Sequence, residues 1–185
     1  MDLGFRMHAE RTPNPNSIKW VLGQTVADVV ASASFSKGVT PEISPLAAAI
    51  LEIDGTEGVT LGPNFVTVSK AEGVEWTDLA APIVAAIKAW AASGESAFGP
   101  AFEPPAKEDD DVVTARIRTI LERDVRPYVE QDGGEIVFAG YHDGIVEVIL
   151  QGACAGCPSS TITLKMGIEA RLKEEIPEVR SVVAL

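Results

Sequence analysis

Ile145-Val146-Glu147-Val148-Ile149-Leu150-Gln151-Gly152-Ala153-Cys154-Ala155-Gly156-Cys157-Pro158-Ser159-Ser160 reads as an apolar strand that turns a tight corner into a helix. The β-branched run from Ile145 to Leu150 suits a strand. Pro158 suits the first position of a helix, where its missing N–H costs nothing. Leu164, Ile168 and Leu172 then recur at helical spacing, Pro177 ends that helix, and Val179 to Ala184 reads as a last strand. Upstream, Glu135 to Ala139 faces Ile145 to Leu150 across Tyr141-His142-Asp143-Gly144, and Asp-Gly between apolar runs signals a hairpin. Asp132-Gly133-Gly134 stops an earlier helix whose apolar stripe is Val113, Ile117, Ile120, Leu121, Val125 and Tyr128. Pro127 is expected to kink or split it near its end. The order is α-β-β-α-β, a small sheet with helices on one face.

Residues before this unit mix strands and helices as well. Residues 6–10 and Ser17 to Leu22 flank the turn Thr12-Pro13-Asn14-Pro15-Asn16. Pro45 to Glu52 reads as a short helix capped by Ser44. Gly58 to Leu61 and Phe65 to Val68 form a hairpin around Gly62-Pro63-Asn64. A final helix, capped by Thr77 or Asp78, carries Leu79, Ile83, Ile87 and Trp90 on one face. The expected fold class is α+β, two small α/β modules joined by a flexible linker. The boundaries are 5–92 for the first module, 93–110 for the linker and 111–185 for the second. The linker assignment rests on Gly, Pro and Ser, from Ser93-Gly94 to Pro104-Pro105, ahead of the acidic run Glu108-Asp109-Asp110-Asp111.

The chain has 185 residues and a formal net charge of −12. Both modules and the linker are acidic, and no cluster of Lys and Arg offers counterions to a phosphate backbone, so nucleic acid is not an expected partner. No apolar run is long enough to span a membrane. The N-terminal residues show neither a secretory h-region nor transit-peptide character, and the expected location is cytoplasmic.

Cys154 and Cys157 are the only cysteines. In a reducing compartment such a pair points to metal or redox chemistry rather than a disulfide framework. The N-terminus of the following helix favours the thiolate, which is the form that binds metal. Ala153, Ala155 and Gly156 add little bulk around the pair, and Gly156 is free to take positive φ. Iron–sulfur clusters and tetrahedral zinc both take four ligands, and this chain brings two. His8 and His142 lack ligand spacing to them. A symmetric dimer would join two pairs into one four-thiolate site. A dithiol–disulfide oxidoreductase is the alternative, disfavoured because no βαβ pattern and no aromatic residue precede the motif. A structural zinc dimer is a third reading.

The second module resembles the C-terminal NifU-like (Nfu) domain of iron–sulfur cluster scaffolds and carriers. The resemblance is carried by Arg126-Pro127-Tyr128, Asp132-Gly133-Gly134, Val148 to Leu150, Gly152 to Ser160 with Thr163-Leu164, and Glu169 onward to Ile176-Pro177. The first module resembles the Nfu N-terminal domain through residues 12–16, Ser44-Pro45-Leu46-Ala47 and Gly62 to Lys70. The resemblance implies a homodimer that holds one 4Fe-4S cluster through Cys154 and Cys157 of each copy. It implies a primary assembly scaffold as donor, apo iron–sulfur proteins as acceptors, and an N-terminal domain devoted to partner contacts. No Ser-His-Asp set, phosphate-cradling loop or carboxylate pair stands out, so a carrier rather than an enzyme is expected. Trp20, Trp76 and Trp90 are read as core residues before client anchors, and Arg126 and Lys165 as solubilising residues as readily as charges that offset a cluster.

Overall fold

A computed structural model describes residues 5–26, 32–103, 111–155 and 158–185. Cys157, Gly156 and residues 104–110 of the expected linker lie outside the described residues. The fold is α+β, with two sheets, each with its own apolar core.

The first sheet has strand order β1-β2-β5-β4-β3, with every neighbouring pair antiparallel. Its strands are β1 (Met7–Arg11), β2 (Ser17–Leu22), β3 (Ala33–Ser36), β4 (Thr56–Leu61) and β5 (Phe65–Lys70). Ser44 caps α1 (Pro45–Leu51), accepting from the Ala47 amide at 3.2 Å. The second helix, α2 (Trp76–Ser93), starts two to three residues earlier than Thr77 or Asp78 as its cap implies. Glu75 is its N-cap and makes no side-chain bond there, so Thr77 and Asp78 fall inside the first turn. Leu79, Ile83, Ile87 and Trp90 of α2 pack with Leu46 and Ile50 of α1 against Trp20, Val59, Leu61, Val66 and Val68 of the sheet. All three tryptophans serve this side of the sheet, with Trp76 edge-on to Trp20 at 6.0 Å. Strand β3 has no counterpart in the sequence reading: in Ala33-Ser34-Phe35-Ser36 only Phe35 is large and apolar, too little for a strand signal.

Part of the segment expected to be a mobile linker is packed. Ala97 is fully buried, and Phe98 meets Phe102 at 4.2 Å and Phe35 at 6.2 Å. The Gly99 amide donates to the Ile43 carbonyl at 2.8 Å, and any side chain at Gly99 would collide with the Glu42 carbonyl. Gly, Pro and Ser composition pointed to disorder, but three aromatic rings outweigh it by burying apolar area.

The second sheet is β6-β7-β8, with β6 (Gly134–His142) antiparallel to β7 (Ile145–Gly152), and β8 (Ser181–Ala184) parallel to β7. The hairpin turn is Asp143-Gly144, with φ of 50° and 82°, the paired positive values that a two-residue turn demands. The helices are α3 (Val112–Ile120), α4 (Arg126–Gln131) and α5 (Pro158–Glu175). Between α3 and α4 lies a π-helical turn, Leu121–Val125, where the Arg126 amide reaches back to the Leu121 carbonyl. The wider turn advances the buried face by one residue. Val129 is therefore 1% exposed while Tyr128, placed in the stripe by ideal helical spacing, is 70% exposed.

The two units meet across the outer face of the first sheet. That face carries Ser17, Lys19, Ser34, Thr60, Thr67 and Ser69, alternating with the apolar residues turned toward α1 and α2. Lys19 Nζ donates to the Glu130 and Gln131 carbonyls at 2.7 and 3.0 Å, at the open end of α4, and sits 4.6 Å over the Phe65 ring. Burial lowers the Lys19 pKa, against the pull of Glu10, Glu130 and Asp132. Ser32 bonds Glu130 at 3.1 Å, and Arg126 reaches Ser32 while clamped on Glu122 at 2.6 Å. With 13% of its side chain exposed, Arg126 is a structural member of this contact rather than a solubilising residue.

Glu135 is 4% exposed and accepts from the Ser34 hydroxyl at 2.7 Å. Burial raises its pKa to about 7; Ser34 and Arg126 oppose the rise, while Glu130 and Glu122 add to it. A carboxyl with a raised pKa favours the folded form fully below its unfolded value, and that contribution disappears as pH climbs through about 7. The shift from the ordinary glutamate value is worth about 3 kcal/mol. Thermal unfolding midpoints are expected to fall between pH 5 and pH 8 in the native protein. Glu135→Gln flattens that decline; an unchanged slope in the variant removes Glu135 as its source. Phe98→Ala is expected to cost about 2 kcal/mol in urea unfolding, because it strips the aromatic contact that holds residues 97–102. A change within experimental error means that this segment is not part of the cooperative unit.

Candidate iron–sulfur site

The corner that carries the cysteines is built by three glycines. Gly133, with φ of 75°, ends α4 and accepts from the Ala153 amide at 3.3 Å. Gly134 opens β6 and is paired with Gly152 at the end of β7. Gly152 has φ of 65°, so the chain leaves the sheet sharply and the Ala155 amide closes a turn on the Gly152 carbonyl at 3.1 Å. A methyl group added at Gly134 would collide with Cys154 Sγ. The absence of a side chain at Gly134 is therefore what gives the sulfur its place.

Ala153 is fully buried, Cys154 is 6% exposed and Ala155 is exposed. The small residues serve different ends: Ala153 fits the core, and Ala155 leaves the outer side of the turn open. Helix α5 begins at Pro158, as the proline rule requires, and Thr161 reaches back to the Cys154 carbonyl at 3.5 Å. The sulfur of Cys154 thus sits just ahead of a helix N-terminus, with its backbone tied to the first turn. Cys157, the second expected ligand, lies outside the described residues.

The histidines are elsewhere. His8 is on β1, 2.9 Å from Glu10, and His142 ends β6 at the hairpin turn. Among the described residues no group of three or more His, Cys, Asp or Glu side chains gathers as a metal site. What the corner offers is soft sulfur, room for it left by glycine, and a helix start just after it in the chain. That donor chemistry suits iron–sulfur or zinc cargo. The sequence reading treated Asp132-Gly133-Gly134 only as a helix stop and family mark. It missed the steric role of Gly134, which depends on β6 and β7 pairing Gly134 with Gly152. It also missed Asn14, whose side chain donates to the Ala155 carbonyl at 2.9 Å, since nothing in local sequence links residues this far apart.

The NifU-like domain family matches residues 117–183, and the Nfu/NifU N-terminal scaffold domain matches residues 7–94. A Drosophila erecta protein named NFU1 iron-sulfur cluster scaffold homolog, mitochondrial, is 41% identical over 179 residues, covering 95% of this chain and 63% of its own length. The Homo sapiens protein of the same name is 41% identical over 180 residues, covering 95% of this chain and 70% of its own. This chain thus spans under two thirds of the length of its Drosophila relatives. The solution structure of a NifU-like protein from Saccharomyces cerevisiae aligns with a TM-score of 0.47 at 23% identity, over 53% of this chain and 89% of that one. The relatives' names correct the expected cytoplasmic location, because they point to mitochondria. Charge and hydropathy of a folded module suit either reducing compartment and carry no address. With its two matched domains and its similarity to the human protein along almost its whole length, the chain belongs to the NifU-like (Nfu) family of iron–sulfur cluster scaffold proteins.

Proposed function

We propose that this protein is a carrier that receives an iron–sulfur cluster as cargo, holds it as 4Fe-4S between two copies, and passes it to apo iron–sulfur proteins. Cys154 and Cys157 of each copy are the four thiolate ligands. The observation that carries the reading is the half coordination sphere. The chain has two cysteines, and one of them lies at a glycine-cleared corner next to a helix start. A cluster needs four thiolates, so a second copy has to supply the rest. A site shared by two chains at a protein surface releases its cargo when the chains part, which is what transfer requires. The cargo site belongs to the module from residue 111 to 185. The module from 5 to 92 has no cysteine and serves contacts with the donor scaffold and the acceptors.

Anaerobic reconstitution of the full chain with ferrous iron and sulfide tests this. The expected product is a brown dimer with about four irons per pair of chains. A colourless protein that reduces disulfides instead overturns the carrier reading in favour of redox work by the same cysteines. Cys154→Ser and Cys157→Ser are each expected to abolish cluster retention while circular dichroism stays native. A normal cluster in either variant refutes the ligand assignment. Gly134→Ala is expected to lower cluster yield at least severalfold, because its methyl group takes the space of the Cys154 sulfur. Wild-type yield from that variant means the sulfur is placed by something else.

A further inference from the structure

The first module reaches the cysteine corner itself. Asn14, in the turn between β1 and β2, donates to the carbonyl of Ala155, the residue directly after Cys154. Thr60 of β4 stands close enough to Gly152 that a methyl group there would lie 2.8 Å from its hydroxyl. Thr67 of β5 stands likewise against Gly133, at 2.9 Å. Lys19 holds the end of α4 and Ser34 holds Glu135. These contacts run from α4, past both glycines, to the turn between the cysteines. A second copy whose thiolates complete the sphere has to approach this same turn.

Resting on the shared-cluster reading above, we propose that the first module is an internal clamp. Its polar sheet face closes on the Cys154 corner of its own chain, competes with the second copy for it, and lifts when a cluster is loaded.

The chemistry of the contact is that of a reversible one. Around the Phe65 ring the clamp is made of hydroxyls, the Asn14 amide, the Lys19 ammonium, the Arg126 guanidinium and the Glu130 and Glu135 carboxyls, whereas the opposite face of the same sheet is apolar and covered by α1 and α2. Polar contacts between domains of one chain open readily compared with apolar ones. The clamp also carries a defect: Thr67 Oγ1 is buried and has no hydrogen-bond partner among the described residues. A buried hydroxyl without a partner works against closure.

The experiment uses the full chain in two variants that push in opposite directions. Asn14→Ala combined with Lys19→Ala removes bonds that close the clamp. Thr67→Val keeps the shape and removes the orphan hydroxyl. Small-angle X-ray scattering of the cluster-free proteins reads opening without any metal, and the absorbance of reconstituting samples reads loading. The double variant is expected to have a larger radius of gyration and to load about tenfold faster, the effect of losing one to two hydrogen bonds' worth of closure. Thr67→Val is expected to load more slowly than the native protein. An unchanged radius of gyration in the double variant overturns the clamp. A larger radius with native loading speed overturns the competition. If no protein acquires a cluster, the carrier reading fails, and the competition with it. Scattering in that case still separates closure from its absence.

Discussion

A β-sheet has two faces, and the first module turns most of its apolar side chains to one of them, Phe65 beneath Lys19 being an exception. Trp20, Val59, Val66 and Val68 turn toward α1 and α2, while Ser17, Lys19, Thr60 and Thr67 turn away. Those four polar residues are nevertheless buried, the lysine included. A dry ammonium needs acceptors, and a helix C-terminus has carbonyls that lack donors. Lys19 and the end of α4 meet each other's need. That match puts the end of α4 against the sheet, and Gly133 and Gly134 follow at once in the chain. The placement of the cysteine corner descends from it.

At the corner, size matters more than charge. Gly134 leaves room for sulfur, Gly152 bends the strand out of the sheet, and Ala153 vanishes into the core. The result is a thiol on the verge of a helix start but 6% exposed. Burial protects such a thiol, since oxidation follows exposure and thiolate character. The glycine cradle gives the sulfur its place, and the first module meets the residue that follows it in the chain, Ala155.

Local chemistry made much of this legible in the sequence. Ser44-Pro45 marks the start of α1, Asp143-Gly144 the second hairpin, and Pro158 the start of α5, because each residue acts through its own backbone. The failures have a common cause in contacts that are distant in the chain. Residues 97–102 read as linker until Phe35 supplies the ring they pack on. Tyr128 reads as core until the π turn moves the buried face on to Val129. Strand β3 is too poor in apolar residues to announce itself and exists because β4 pairs with it. At the site, the cysteines were plain from their spacing, whereas the role of Gly134 required the pairing of β6 with β7.

The balance within the clamp explains why its face is polar. Each neutral hydrogen bond across it contributes only about 1 kcal/mol net, and the bonds of Lys19 somewhat more. Against them stand the buried hydroxyl of Thr67 and the carboxyl of Glu135, whose burial disfavours its charged form. The opposing contributions leave closure weaker than its hydrogen bonds alone would make it. An apolar face of the same extent would gain about 25 cal/mol for every Å² covered and would hold the corner shut. The threonines of the outer face therefore do what valines could not: they pack against Gly133 and Gly152 without a large apolar gain.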